Sequence, residues 1–275
     1  MPHAPSPTPT PIITTPDYGI DAPGAVRNLF IASGAGLLTF LSIVTHLWSG
    51  VLALGPLHLG LRPMSLSVGL AAGLMGVWMA WDSKVGKLRE RERLLDLLTW
   101  TGRERVLDVG CGRGLLLIGA AKRLGGGGSA AGIDLWQQQD LSGNRPEAPL
   151  ENARLEGVAD RVEVRTADMR EIPFPDASFD TILSLNAIHN IYSAPGRDAA
   201  VAEIARVLKP GGVVLISDIR HIRQYAAALR AGGCSDVARA RSDVGMIVVM
   251  IITFSLVRPG ALIARKQAQS APARA

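Results

Sequence analysis

The sequence predicts an α/β fold in which a doubly wound, mostly parallel sheet follows a hairpin of two transmembrane helices. Three observations lead to this prediction. Between residues 105 and 218, short apolar runs alternate with helical patterns, which is the rhythm of strand–helix–strand units. Glycines occupy alternate positions directly after the first of these runs, at Gly110, Gly112 and Gly114. Residues 28–61 contain no Asp, Glu, Lys or Arg, so this stretch is apolar enough for a bilayer.

The 275 residues divide into three predicted segments. Residues 1–27 are rich in Pro, Thr and Ser and are predicted to form a disordered tail. Residues 28–82 are predicted to form a membrane anchor with spans at about 29–52 and 64–81, each near the ~20 residues that a bilayer requires. Two alternatives remain open: the runs form a buried hairpin of a soluble domain, or the second run lies along the membrane or re-enters it. Residues 83–275 are predicted to form the α/β domain.

Charge on either side of the predicted spans indicates their orientation. Five basic residues lie within residues 84–93, directly after the second span, whereas Arg27 alone precedes the first. The positive-inside tendency therefore places the α/β domain, and with two spans also the N-terminus, on the cytoplasmic side of an integral membrane protein. The net charge of +5 is also compatible with nucleic-acid binding. Because the basic residues concentrate where anionic headgroups would attract them, the sequence predicts a membrane partner and no nucleic acid.

The elements of the α/β domain start with a helical pattern at residues 84–98, which links the anchor to the first strand. Residues 244–257 form a run of 14 uncharged positions, shorter than a membrane span. They form either one or two closing buried strands or a cap that dips into the membrane. Residues 261–266 are predicted to be the last strand, antiparallel and at or near the sheet edge. The other predicted strands are 105–109, 130–135, 162–166, 181–185 and 213–218, and the predicted helices between them are 115–124, 150–157 and 198–208.

The glycine turn indicates a nucleoside-binding site. Glycine permits a sharp bend and a close approach of ligand to backbone, although a tight turn without a ligand would use the same residues. Asp108 lies two residues before the first glycine and would repel a pyrophosphate, but it suits a cationic ligand without phosphate. Asp134 ends the second strand, where a carboxylate can accept hydrogen bonds from ribose hydroxyls.

The segment Asp108-Val-Gly-Cys-Gly-Arg-Gly114 resembles the first motif of the class I S-adenosylmethionine-dependent methyltransferases. Residues 173–180 and 203–212 resemble segments of the subgroup that methylates small molecules, including quinones and sterols. The resemblance covers about residues 103–218. It implies a seven-stranded Rossmann-like sheet, S-adenosylmethionine as cofactor and methyl transfer as the activity.

The resemblance also implies roles for individual residues at the ends of the parallel strands. Asp108, Gly110 and Gly112 would face the methionine part of the cofactor, and Asp134 would bind the ribose. Leu135 would pack against adenine or ribose. Asp168 would receive the adenine amino group, Met169 would pack on the adenine ring, and Asn186 would lie near the reactive methyl group.

Two histidines are candidates for a general base, although many enzymes of this type work by proximity alone. His189 follows the fourth predicted strand and His221 follows the fifth, and an imidazole titrates near neutral pH. No metal site is predicted, because the two cysteines, Cys111 and Cys234, are too few and too far apart for a zinc site or a disulfide framework.

The acceptor class is narrowed by motifs that the sequence lacks. No Asn/Asp-Pro-Pro-Tyr/Phe segment follows the fourth predicted strand, which disfavours the nucleic-acid enzymes that methylate amino groups. A small acceptor remains, and a membrane anchor favours a lipophilic one because the domain is then held beside membrane-dissolved substrate. The sequence therefore predicts a membrane-anchored methyltransferase acting by in-line transfer. The alternative is a membrane-tethered protein that binds S-adenosylmethionine without turnover and serves in assembly or regulation.

Overall fold

The computed structural model describes residues 15–240 and 259–268. A π-helical turn, Asp82–Gly86, joins the second helix to the third. The helices are α1 Pro23–Val44, α2 Arg62–Trp81, α3 Lys87–Leu95, α4 Leu115–Ala121, α5 Glu147–Leu155, α6 Ala194–Val207 and α7 Ile222–Ala231. The strands are β1 Val51–Leu54, β2 Leu57–Gly60, β3 Arg105–Val109, β4 Ser129–Asp134, β5 Val162–Thr166, β6 Phe179–Leu185, β7 Leu208–Asp218, β8 Cys234–Arg239 and β9 Gly260–Lys266.

Strands β3 to β9 form one sheet of seven strands in the order β5-β4-β3-β6-β7-β9-β8. The first five of these strands pair in parallel, and β9 runs antiparallel to both β7 and β8. The predicted mostly parallel, seven-stranded sheet is therefore confirmed. The predicted antiparallel last strand is also confirmed, and it lies one position in from the edge. Residues 244–257 lie outside the described residues.

The central strands are buried on both faces, which explains their nearly continuous apolar sequence. Leu107, Ile133 and Ile182 have no exposed surface. One face packs against α6 and α7, where Tyr225 is fully buried, and the other packs against α3 and α4. Helices on both faces leave the carboxyl ends of the parallel strands as the open edge of the sheet.

Helices α1 and α2 form an antiparallel hairpin held by small residues. A Cβ atom on Gly36 would lie 2.9 Å from Cα of Gly69, and one on Gly73 would lie 2.7 Å from Oγ of Ser33. Side chains at these glycines would therefore separate the helices. The first predicted span, 29–52, is wrong in its bounds, because α1 begins at Pro23 and ends at Val44. The strands β1 and β2 take up the following apolar residues as a short hairpin.

The outer surface of the α1–α2 hairpin is apolar. Leu47 is 82% exposed, and Leu38 and Leu74 are also largely exposed. By length and composition, α1 and the helix formed by residues 62–95 could each cross a membrane. Few of the residues in their apolar stretches are buried, so these helices are not core helices of the part of the chain that the structure describes.

The second helix continues through the π-helical turn into α3, which joins the hairpin firmly to the α/β domain. Leu94 and Leu95 at the end of α3 are fully buried. A Cβ atom on Gly119 of α4 would lie 2.6 Å from Cδ1 of Leu95, so α3 and α4 are in close contact. The linking helix predicted at residues 84–98 is present, and it ends at Leu95.

Residues 15–22 pack along the α/β domain as an N-terminal strap, although the sequence predicts a disordered tail up to residue 27. Tyr18 is buried, and its hydroxyl donates to Oε1 of Glu156 at 2.5 Å. The backbone N–H of Ala22 donates to the carbonyl of Asp140 at 2.9 Å. The physical reason for the difference is that these partners lie more than 100 residues away along the chain, where local composition gives no sign of them.

We expect the substitution Tyr18→Ala to destabilise the protein by about 3 kcal/mol, since it removes a buried ring and its hydrogen bond. Thermal unfolding of the detergent-purified full chain would measure this loss. The matched control is Tyr192→Ala, because Tyr192 is fully exposed and its removal should change stability by less than about 0.5 kcal/mol. Equal unfolding temperatures for the two variants would contradict a stabilising role of the strap.

Candidate active site

A cavity of about 1170 Å³ opens at the carboxyl ends of the parallel strands. Ligands bind at this edge in open α/β sheets. All but one of the residues that the sequence predicts for the site line this cavity: Asp108, Gly110, Gly112, Asp134, Leu135, Asp168, Met169, Asn186 and His189. The exception is His221.

The turn after β3 requires glycine for two reasons. Gly110 and Gly112 have φ angles of +74° and +52°, in the left-handed region that side chains disfavour. A Cβ atom on Gly110 would overlap Cβ of Ala187, and one on Gly112 would lie 2.8 Å from Cδ2 of Leu141. A side chain at either position would therefore clash with a neighbouring residue, so only glycine allows the turn to pack this closely at the edge of the cavity.

Asp134 holds the glycine turn against the loop that follows β4. Its Oδ2 accepts a hydrogen bond from the backbone N–H of Gly112 at 2.8 Å. Its Oδ1 accepts from the N–H of Trp136 at 2.6 Å and from Nδ2 of Asn144 at 3.1 Å. The carboxylate thus fixes the shape of the site before any ligand is bound, and a ribose would add to these contacts.

Asn144 supplies an acceptor that the rest of the described chain leaves without a partner. The residue is 4% exposed and lines the cavity, and its Oδ1 makes no hydrogen bond within the described residues. A buried carbonyl oxygen without a partner is costly, so a ligand hydroxyl at this position would be favoured. Together with the glycine turn and Asp134, this atom fits the ribose of S-adenosylmethionine. The sequence predicts no role for Asn144.

Asp108 lies at the bottom of the cavity, buried within β3. Its Oδ2 accepts from the N–H of Leu117 at 2.8 Å, which ties the carboxylate to the first turn of α4. Burial raises the pKa of Asp108 to about 7, against the lowering effect of the Leu117 hydrogen bond, and the nearby charge of Asp134 adds to the rise. A cationic ligand group would favour the ionised carboxylate, as the ammonium of the predicted cofactor would.

Asp168 already has a strong partner, Arg170, for which the sequence predicts no role. Nη2 of Arg170 lies 2.5 Å from Oδ2 of Asp168, and Nε contacts both carboxylate oxygens at 3.0 Å. The hydrogen bonds from Arg170 hold the pKa of Asp168 below its usual value. The adenine amino group would therefore share this carboxylate with Arg170. Met169 and the half-exposed Leu135 offer apolar contacts in the same cavity.

His189 lies on a short 3₁₀ turn, Ile188–Asn190, which follows β6. Its Nδ1 is 2.6 Å from Oδ1 of Asp218, within ion-pair distance but outside the geometry of an aligned hydrogen bond. Asp218 ends β7, is 1% exposed and also accepts from the backbone N–H of His189 at 3.1 Å. The Tyr225 hydroxyl donates to the same carboxylate at 3.3 Å. An acidic residue at the end of the fifth parallel strand is the sequence signal that could have identified this partner.

His221 does not share this position. It is exposed, has a φ angle of +61° and precedes the first turn of α7, and the cavity lining does not include it. Partial burial lowers the pKa of His221, and the charge of Arg197 lowers it further. The structure therefore brings one of the two candidate histidines to the cavity. Asn186, with a φ angle of +51°, also lines the cavity.

The far side of the cavity is formed by the end of α2, for which the sequence predicts no part in the site. Trp78, Met79 and Trp81 line it, together with Arg89 from α3. The guanidinium of Arg89 lies 6.0 Å from the centre of the Trp81 ring, within the range of a cation–π contact. The predicted division between anchor and α/β domain at residues 82 and 83 thus passes through the lining of a single cavity.

This chain resembles known methyltransferases. Residues 107–216 match the family described as "Methyltransferase domain". The chain is 35% identical over 157 residues to the methyltransferase GfsG of Streptomyces halstedii, a match that covers 56% of this chain and 52% of the relative. It is 34% identical over 155 residues to a phosphatidylethanolamine N-methyltransferase of Cereibacter sphaeroides, covering 56% of this chain and 69% of the relative. The chain thus spans about half the length of the first of these relatives.

A solved structure supports the fold. Geranyl diphosphate methyltransferase in complex with S-adenosylmethionine superposes with a TM-score of 0.51 at 18% identity, covering 70% of this chain and 88% of that one. At this level of identity, the similarity concerns the fold alone.

Proposed function

Since the chain belongs to the class I S-adenosylmethionine-dependent methyltransferases, we propose that it is a membrane-anchored enzyme that methylates a small lipophilic acceptor. The observation that carries this proposal is a single cavity lined by both the glycine turn and the His189–Asp218 pair. A cofactor site and a candidate base in one cavity are what methyl transfer to a protic acceptor requires.

The cofactor, S-adenosylmethionine, supplies an activated methyl group when bound. We assign its ribose to Asp134 and Asn144, because these side chains meet at the end of β4 and the Asn144 carbonyl oxygen lacks a partner within the described residues. Met169 and Leu135 would contact the adenine ring, with Asp168 near its amino group. Asp108, below the glycine turn, would stabilise the cationic methionine end by its charge.

His189 is proposed to remove the acceptor proton. Asp218 stands beside Nδ1, so Nε2 remains as the basic atom for the acceptor, and the carboxylate would stabilise the imidazolium that forms. Asp218 is itself held by the backbone N–H of Ile219 at 2.7 Å and by the Tyr225 hydroxyl. A held base of this kind favours an acceptor that loses a proton on methylation, such as a hydroxyl group.

The membrane anchor is proposed from the α1–α2 hairpin. The two helices have 22 and 20 residues, which correspond to about 33 and 30 Å and match the ~30 Å hydrocarbon core. Large exposed apolar side chains such as Leu47 would be unfavourable in water over so wide a surface. The basic residues of 84–93 would then face the cytoplasm, together with the α/β domain.

The test is methyl transfer from radiolabelled S-adenosylmethionine to a membrane lipid extract by the detergent-purified full chain. We expect label in the organic phase, and chromatography of that phase would identify the acceptor. The control is the Asp134→Ala variant at the same cofactor concentration, which should transfer far less label. Cofactor binding without any transfer would instead support a tethered binding protein without turnover.

A further inference from the structure

The cavity continues beyond the proposed cofactor residues to the end of the membrane hairpin. We propose that its α2 side, lined by Trp78, Met79 and Trp81, is the acceptor site and opens at the membrane surface. The acceptor would be an amphiphile whose apolar part lies against α2 while its hydroxyl group reaches His189. This inference rests on the proposed function and adds to it the position and the chemical class of the acceptor.

The size of the cavity supports a second ligand beside the cofactor. Ligand pockets usually measure about 300–1,000 Å³, and this cavity measures about 1170 Å³. The residues assigned to the cofactor lie at the ends of strands β3, β4 and β5 and on the loops that follow them. The α2 side is left for another molecule, and its aromatic and thioether side chains suit an apolar chain.

The position of this side relative to the hairpin indicates a membrane source. Trp78 and Trp81 lie at the end of α2, where the exposed apolar side chains of Leu74 and Val77 give way to the basic α3. Tryptophan at such a boundary favours the headgroup level of a bilayer, and the Arg89 guanidinium over the Trp81 ring suits the same level. An amphiphile could then enter the cavity without leaving the membrane.

The test compares two tryptophans of the same hairpin in the full chain. Trp78 lines the cavity, whereas Trp48 lies at the opposite end of the hairpin and outside the cavity lining. The protein is placed in vesicles made from a membrane lipid extract, and label transfer is measured as the extract is diluted with an inert phosphatidylcholine. Calorimetry gives the Kd of the cofactor, and flotation gives the fraction bound to vesicles.

Trp78→Ala is expected to raise the apparent KM for the extract about tenfold, while Trp48→Ala changes it less than about twofold. The Kd of the cofactor and the bound fraction should match the wild type in both variants. Trp81→Ala should shift KM in the same direction, and it guards against a folding defect because the Trp81 side chain is half-exposed.

Three results would overturn this inference. Equal KM changes in the Trp78 and Trp48 variants would mean that both residues act only as membrane contacts, and the methyltransferase function would stand. An unchanged KM in both the Trp78 and Trp81 variants would likewise place the acceptor elsewhere. Absence of transfer by the wild type, with intact cofactor binding, would overturn the proposed function and this inference together.

Discussion

His189→Ala is expected to lower kcat by about 10²–10⁴-fold, the usual contribution of a general base. The reason is that His189 lines the cavity beside the glycine turn and has Asp218 against Nδ1. Steady-state kinetics with the identified acceptor would measure the loss. The Kd of S-adenosylmethionine should stay close to the wild-type value, because the residues assigned to the cofactor are unchanged.

Two companion variants separate a base from a residue that only shapes the pocket. Asp218→Asn keeps the size of the side chain but removes the charge that would stabilise the imidazolium, so kcat should also fall. His221→Ala serves as the matched control, since His221 is exposed and outside the cavity lining, and activity should stay within about twofold. If His189→Ala raises the KM for the acceptor and leaves kcat unchanged, His189 is not the general base and only shapes the pocket.

Asp134→Ala is expected to weaken S-adenosylmethionine by about 1.5–3 kcal/mol, roughly 10- to 150-fold in Kd. The variant loses the proposed ribose contact and also the hydrogen bonds to Gly112, Trp136 and Asn144 that shape the turn. Calorimetric titration of the detergent-purified protein would measure the change. Asp168→Ala should have a smaller effect, because its proposed cofactor partner is a single neutral amine.

The control for this second prediction is Asp160→Ala. Asp160 pairs with Arg161 on the surface and lies outside the cavity lining, so the Kd should not change. If a folded Asp134→Ala protein binds S-adenosylmethionine with the wild-type Kd, the ribose does not bind at the end of β4. In that case Asn144 would lose its proposed role as well, because the two side chains are joined by a hydrogen bond.

Local sequence patterns were sufficient to predict most strands of the sheet. The predicted bounds 105–109 and 162–166 are those of β3 and β5. β3 is a short, mostly buried apolar run, whereas β5 alternates apolar with polar residues, as suits a strand at the edge of the sheet. The position of the predicted site residues at the cavity could also be inferred from local patterns. Parallel strands end at one edge, so the residues that follow them, such as Gly110, Asp134 and Asp168, converge whatever the rest of the chain does.

Predictions from composition were wrong for segments whose structure depends on contacts with distant residues. The composition of the strap is that of a Pro- and Thr-rich disordered tail. Tyr18 is nevertheless buried, and its hydroxyl contacts Glu156, which lies 138 positions away along the chain. Within the uncharged run 28–61 the sequence likewise predicts a span at about 29–52, but α1 ends at Val44 and a β-hairpin follows. Hydropathy shows how apolar a segment is. It does not predict the residue at which a helix ends and the chain begins to pair as a β-hairpin.

The sequence by itself determined the sheet, the glycine turn and the carboxylates at the strand ends, since each follows from a local pattern and the geometry of parallel strands. Only the tertiary structure shows that His189 lines the cavity and that His221 does not, since the sequence places both after neighbouring strands. Asp218 lies against the His189 ring, and the chain turns at His221 with a positive φ angle that leaves this residue exposed. The tertiary structure also joined α2 to the site. Both outcomes depend on contacts between residues far apart in the chain, which no local pattern encodes.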